Sequence, residues 1–331
     1  MDTSLTSSTQ EPAARESNPF AQTHFEKRRA RAAIRNKWIM FSFCLLLVIP
    51  LVAILVYIFH KASPILSIDY LWQNPEDKGK GGGLWAPLVG TFYLVIGSLA
   101  FVAPVGILAG IYLNEYAKEG WVNRIISITV TSLAGVPSIV HGLFGVGAFV
   151  LVMLPGVNKI FADPNDDDTK WQAGLLTASL TIAVMNLPVI ITSTREALGA
   201  VPHAFREACW NLGASRWQTI RTIVLPNSLS GILTGIILVV SRAAGETAPI
   251  LFTGATTFKF IADSGWEKVF PYSLKEPFMA MSTHLHIILT QISQMPEGMK
   301  YGCAAVLIML ILFVNSFAIV LRVWLRGRKR W

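Results

Sequence analysis

Five stretches of this chain, residues 38–59, 84–113, 125–158, 171–194 and 301–321, each run for more than twenty residues without an Asp, Glu, Lys or Arg. A sixth, 226–258, is interrupted only by Arg242 and Glu246. A helix needs about 20 apolar residues to cross about 30 Å of hydrocarbon, so each run is long enough to span a bilayer. Strands of a membrane barrel would be about half as long and would alternate in polarity, which these runs do not. The expected fold is therefore all-α and integral to the membrane, with six transmembrane helices. Composition agrees: 53% of the 331 residues are hydrophobic and 15% charged, where soluble domains carry about 25% charged. A disordered chain, a disulfide scaffold and an ordinary soluble enzyme are excluded. Cys44, Cys209 and Cys303 lie far apart and imply neither a bridge nor a metal cluster.

The formal net charge of +8 is unevenly placed. Loops taken alternately hold eighteen Lys and Arg in one set and nine in the other. The richer set comprises the arm before span one, 114–124, 195–225 and the tail from Arg322. The poorer set holds most of the acids, including Asp163 and Asp166, Asp167 and Asp168. The positive-inside rule then puts both termini in the cytoplasm. Residues 1–37 read as a basic, disordered cytoplasmic arm that lacks the apolar core of a signal peptide, and 38–331 as the membrane domain. Prolines at 50, 104, 137, 188 and 249 fall inside the first five spans, with glycines at 97, 106, 110, 135, 142, 145 and 147. These support bent or closely packed helices and also match the ordinary composition of membrane helices.

Between spans four and five lies VPHAFREACWNLGASRWQTIRTIVLP, residues 201–226. Pro202 suits a first helical turn. Phe205, Ala208 and Leu212 form a narrow apolar stripe on a helix, and Gly213 suits a left-handed cap. A second short helix is expected from Ser215, with Trp217, Ile220 and Val224 on one face, before Pro226 leads into the next span. On pattern alone this is either an amphipathic element lying in the lipid interface or a docking element for a soluble partner. A DNA-reading helix-turn-helix is disfavoured, because 25-odd residues clamped between two spans cannot readily enter a groove.

Glu207 and Ala208, then Gly213, then Ile223, Leu225 and Pro226 resemble the EAA loop of binding-protein-dependent ABC importer permeases, with Cys209 standing for the second alanine. The resemblance implies a type I importer permease (MetI-like) architecture with a cytoplasmic coupling helix that fits a groove on a separate ATPase. Phe205, Glu207, Ala208 and Gly213 would then pass nucleotide-driven motion to the spans. The chain itself has no GxxxxGK[ST] loop, and GKGGG at 79–83, read as a flexible outside loop, lacks its spacing.

In SRAAGETAP, residues 241–249, Arg242 and Glu246 are four apart and fall on one helical face. An ion inside a span costs at least about 2.5–3.5 kcal/mol unless it meets water, a partner or a ligand. One reading is a self-neutralising pair that locks the helix; the other is an arginine that lines a pathway and meets an anion, since a guanidinium offers paired donors to oxyanions. SRAAGETAPILFTGA, together with TREAL at 194–198 and AVP at 200–202, resembles the PstA-type permeases of bacterial phosphate importers over about residues 85–325. The permease core is taken as 85–322. The resemblance implies a bacterial inner-membrane transporter subunit that works with a PstC-like permease, two copies of a PstB-like ATPase and a PstS-like phosphate-binding protein. It places ATP and Mg on the ATPase, with no cofactor on this chain and no nucleic-acid partner, and membrane lipid around it. Arg242 and Glu246 become pathway residues, with Arg195 a weaker candidate that also reads as a positive-inside anchor.

Three rivals stand beside a phosphate permease. One is the same machine for sulfate, molybdate or a phosphonate; another is a signalling scaffold that uses the arm 1–37; a passive channel is disfavoured by the coupling-loop spacing. His141 reads as a packed helix residue. His284 and His286 make only a weak metal pattern, and Asp166–Asp168 a solvated face. Segment 277–294 is expected to be an interfacial or re-entrant helix rather than a seventh span.

Overall fold

The computed structural model describes residues 24–118, 120–163, 166, 169–256, 258–259, 261 and 265–327. Among them are six helices long and apolar enough to cross a membrane: Arg31–Ala62, Trp85–Tyr116, Ser138–Phe161, Leu175–Gly199, Arg216–Gly245 and Glu297–Trp324, here spans one to six. Span one begins earlier than the arm reading allowed. Its helix starts at His24, so residues 24–37 are helical rather than disordered. That segment is rich in Ala, Arg and Lys, which are good helix formers, and it extends a helix already nucleated by the apolar run. Residues 1–23 lie outside the described part, as do Asp167 and Asp168. The chain up to Tyr57 forms one compact unit, and Ile58 onward a second.

The run 125–158 is broken. Helix Trp121–Ala134 stops at Gly135, and span three starts at Ser138. Pro137 explains the break: it has no N–H to continue the ladder and it biases Val136 away from helical conformation. By contrast, Pro104 and Pro188 sit within unbroken helices.

Span four is the axis of the second unit, with most of its length buried. Spans two and five pack along it. Gly97, Gly106 and Gly110 of span two face Ser179, Ile190 and Thr194, and a Cβ at Gly106 would lie 2.5 Å from Ile190. Small residues there let the helices approach to van der Waals contact, the main attraction available between helices in lipid. Gly147 faces open space and serves no such contact. Ile111, Leu198, Val201, Ile220 and Val224 close the end of the bundle that carries the 200–216 loop, here the loop end.

At the far end, residues 274–276 lie over the start of span four. Leu175 N donates to Glu276 O and Leu176 N to Leu274 O, both at 3.0 Å, which satisfies two first-turn donors that a helix leaves orphaned. The glycine-rich 79–83 loop, expected to be open, is folded back on the chain. Pro75–Glu76 pairs antiparallel with Gly81–Gly82, and Gly79, at φ 92°, is buried against His284 and Ile288. Helix Met281–Thr290 is a short non-spanning element whose inner face packs against spans two, five and six. His284 and His286 do not converge: the first is buried and the second exposed.

Burial lowers the His284 pKa to about 4. The unfolded chain takes up a proton near pH 6.5, whereas the folded chain resists it down to about pH 4. Stability contributed by the neutral ring is therefore complete above pH 6.5 and is lost as pH falls toward 4, by up to about 3 kcal/mol. Thermal unfolding in detergent is expected to show a lower Tm at pH 4.5 than at pH 7, and His284→Gln is expected to flatten that difference.

Candidate functional site

Two places concentrate polar chemistry in an otherwise apolar chain. The first is the 201–226 loop. Pro202 is extended and precedes helix His203–Asn211, so it caps the helix rather than sitting in its first turn. Gly213 has φ 81°. Ala214 N donates to Cys209 O at 3.0 Å and Gly213 N to Trp210 O at 2.9 Å, the paired bonds of a Schellman turn. Ser215 then caps the next helix, with Gln218 returning a bond to the Ser215 N–H. That helix is not a separate short one. It continues as span five through a wide turn at Ile220–Val224, placed just before Pro226. A proline ring clashes with the carbonyl four residues back, and widening the preceding turn relieves that clash.

The apolar stripe faces the other way from a core-seeking one. Phe205, Ala208 and Leu212 are exposed, Leu212 at 89%, and Glu207 and Gly213 with them. Arg206 is the buried residue of the helix. Its Nη2 meets Glu115 Oε1 at 2.7 Å, with the two side chains 4% and 8% exposed. Of the motif's last residues, Ile223 and Leu225 are half-buried, Leu225 against the loop-end apolar cluster, and Pro226 is exposed. The helix thus shows a mixed apolar and acidic face outward and is held to the bundle by a charge. The sequence reading missed Arg206 and Glu115; the available signal was a cation beside the stripe and a carboxylate at the end of span two.

The second place is the end of span five. The helix stops at Gly245, Glu246 is extended (φ −72°, ψ 134°), and helix Ala248–Thr253 begins after Thr247. Pro249 enforces this, since in a continuous helix its ring would strike the Gly245 carbonyl. Arg242 and Glu246 therefore pair across a helix end, not along one helical face: Arg242 Nε donates to Glu246 Oε1 at 2.9 Å. Ser282 Oγ holds the Glu246 carbonyl at 2.7 Å, and Ser241 Oγ donates to Asn315 Oδ1 of span six. Glu246 is 16% exposed and Arg242 39%. With Nε engaged, both terminal nitrogens of the guanidinium remain without a partner among the described residues, which leaves the fork open to an oxyanion.

Arg195 is not brought to this pair. Its Nη1 donates to Ser127 Oγ at 2.8 Å. Gly231 lies against Ala197 and Gly235 against Ser193, which sets Arg195 level with the middle of span five, roughly 13 Å along the axis from Arg242 at 1.5 Å per residue. His141 is buried, with Nδ1 3.3 Å from Pro137 O, as a packed helix residue should be. Among the described residues no group of His, Cys, Asp or Glu could hold a metal ion.

Residues 103–331 match the family described as binding-protein-dependent transport system inner membrane component. The chain belongs to that family. Among its relatives, the phosphate transport system permease protein PstA of Haemophilus influenzae is 30% identical over 80% of this chain and 84% of its own. PstA 2 of Mycobacterium bovis is 31% identical over 89% and 88%, and the probable ABC transporter permease protein YqgI of Bacillus subtilis 29% over 84% and 91%. A chain in the crystal structure of a bacterial alginate ABC transporter in complex with an alginate pentasaccharide-bound periplasmic protein has the same fold, with TM-score 0.56, 15% identity, and coverage of 90% of this chain and 96% of that one. The protein is the membrane-spanning permease component of an ABC importer.

Proposed function

We propose that this permease moves inorganic phosphate into a bacterial cell, driven by ATP hydrolysis on a separate subunit. The observation that carries the reading is the open guanidinium of Arg242 at the break in span five, in a chain whose relatives include phosphate permeases. The basic loop end faces the cytoplasm. There the exposed face of helix His203–Asn211 docks on one of two PstB-like ATPase copies, and the second copy serves a PstC-like permease that completes the pathway. A PstS-like binding protein delivers phosphate at the far end, over the 254–280 segment. ATP binding closes the ATPase pair, draws the coupling helices together and rocks the spans, so that phosphate passes Arg242 before the cavity reopens inward. Tight selection belongs to the binding protein, because a pathway arginine that held its anion tightly would slow release.

Labelled phosphate uptake tests this in cells lacking the chain and again after its return. Uptake is expected to depend on the chain and to persist in excess sulfate or molybdate. Competition by sulfate or molybdate at equal concentration would assign the permease to that oxyanion instead. Arm-dependent signalling concerns residues 1–37, of which 1–23 lie outside the described part.

A further inference from the structure

The Arg206 guanidinium makes four hydrogen bonds, and they reach the ends of two spans. Nε and Nη2 grip the two oxygens of Glu115 at 3.3 and 2.7 Å. Nη1 donates to Val201 O at 2.7 Å and Nη2 also to Leu198 O at 2.9 Å. Glu115 lies in the wide turn Tyr112–Tyr116 that ends span two, where Asn114 Nδ2 adds a bond to Oε1 at 2.8 Å. Leu198 and Val201 are the last turn of span four and the residue two beyond it. One side chain on the loop helix therefore holds the ends of spans two and four at once. Directly beneath it, Ile111, Leu198, Val201, Ile220 and Val224 pack spans two, four and five together.

A contact that carries motion must resist shear. Apolar faces slide with little penalty, whereas a buried bidentate ion pair has one geometry, and leaving either charge unpaired is strongly unfavourable. The remainder of the loop helix offers nothing comparable, because its other side chains are exposed or half-buried. The apolar stripe is thus exposed while the anchoring falls to one residue.

We propose that Arg206 and Glu115 form the pin through which the loop helix drives spans two and four as one body. Arg206 is a positioning residue: it touches no substrate and acts through the helix that carries it. The proposal rests on the reading of that helix as the ATPase-docking element.

The test uses the full permease, first by itself in detergent and then with its ATPase, second permease and binding protein in vesicles. Nitroxides at Lys118→Cys and Ala204→Cys, both exposed sites, on a Cys44→Ser, Cys209→Ser background, report the distance between the end of span two and the loop helix. The unmodified pin is expected to give one narrow distribution, unchanged when the ATPase is trapped with ATP and vanadate. Glu115→Gln keeps the shape and removes the charge; it is expected to broaden that distribution while leaving co-purification with the ATPase intact, and to lower phosphate moved per ATP at least about tenfold. Arg206→Lys keeps a charge but loses the fork, and an intermediate loss is expected. Arg206→Met removes the guanidinium outright, and where it fails to fold Glu115→Gln carries the test. An unchanged distribution together with an unchanged transport ratio in assembled Glu115→Gln complexes would overturn the pin. Wild-type vesicles that hydrolyse ATP yet move no phosphate would instead overturn the phosphate reading, and the distance measurement on the permease by itself would still decide the pin.

Discussion

Arg242→Gln is expected to lower phosphate uptake about 10- to 100-fold while the complex assembles normally. A hydrogen bond to a charged group contributes about 1.5–3 kcal/mol, which sets that range. The side chain is 39% exposed and, among the described residues, engages protein through Nε alone, so its removal opens no large cavity. The break in span five does not depend on it, because Pro249 and the Ser282 bond to the Glu246 carbonyl both remain. Two comparisons separate the roles. Arg242→Lys keeps a cation without the paired donors and is expected to fall between wild type and Arg242→Gln. Glu246→Gln leaves the guanidinium charged but less firmly oriented, and is expected to reduce uptake by less than Arg242→Gln. Initial rates of labelled phosphate uptake, normalised to assembled complex, check all three. Unchanged uptake in Arg242→Gln with a lowered Tm would make the pair a lock on the helix end and nothing more.

Much of this architecture was legible because hydrocarbon allows few solutions. Long charge-free runs had to be helices, and four of the six spans have ends close to those read from charge. Span five is displaced from the run 226–258, because it begins in the loop at Arg216 and stops at Gly245 ahead of Pro249. The run 125–158 shows the limit of hydropathy: it is apolar throughout, yet Gly135 and Pro137 divide it, and composition gives no measure of which proline breaks a helix. Pro104 and Pro188 did not. The Gly213 turn was legible since few residues other than glycine accept φ near 80°. Arg206 was not, because burial of a cation depends on a carboxylate ninety-one residues away, and nothing in local spacing pairs them. The same holds at span five: Arg242 and Glu246 were found as neighbours, but spacing implied an unbroken helix between them. Lys259 and Glu276, 2.5 Å apart within the far-end segment, are a third pair whose partners only the fold reveals.

The second large effect is expected at Gly213. Gly213→Val puts a β-branched residue at φ 81°, a region that costs an ordinary L-residue about 1–2 kcal/mol and a branched one at least as much. A Cβ there would meet nothing within 4 Å, so any effect comes through the backbone and not through a clash. The Schellman bonds from Ala214 and Gly213 fix the angle between the loop helix and the start of span five. Losing them frees the loop helix from the start of span five while Arg206 still ties it to the ends of spans two and four, so motion of the docking face no longer reaches span five. At about 1.4 kcal/mol per factor of ten, binding-protein stimulation of ATP hydrolysis is expected to fall about tenfold, with basal hydrolysis retained by the ATPase itself. Gly213→Asn is the informative companion, since asparagine tolerates left-handed backbone and is expected to keep most of the stimulation. Hydrolysis measured with and without loaded binding protein distinguishes the two variants. Equal stimulation in Gly213→Val and wild type would show that the turn does not carry the motion, and would leave the linkage to the buried charge at Arg206 alone.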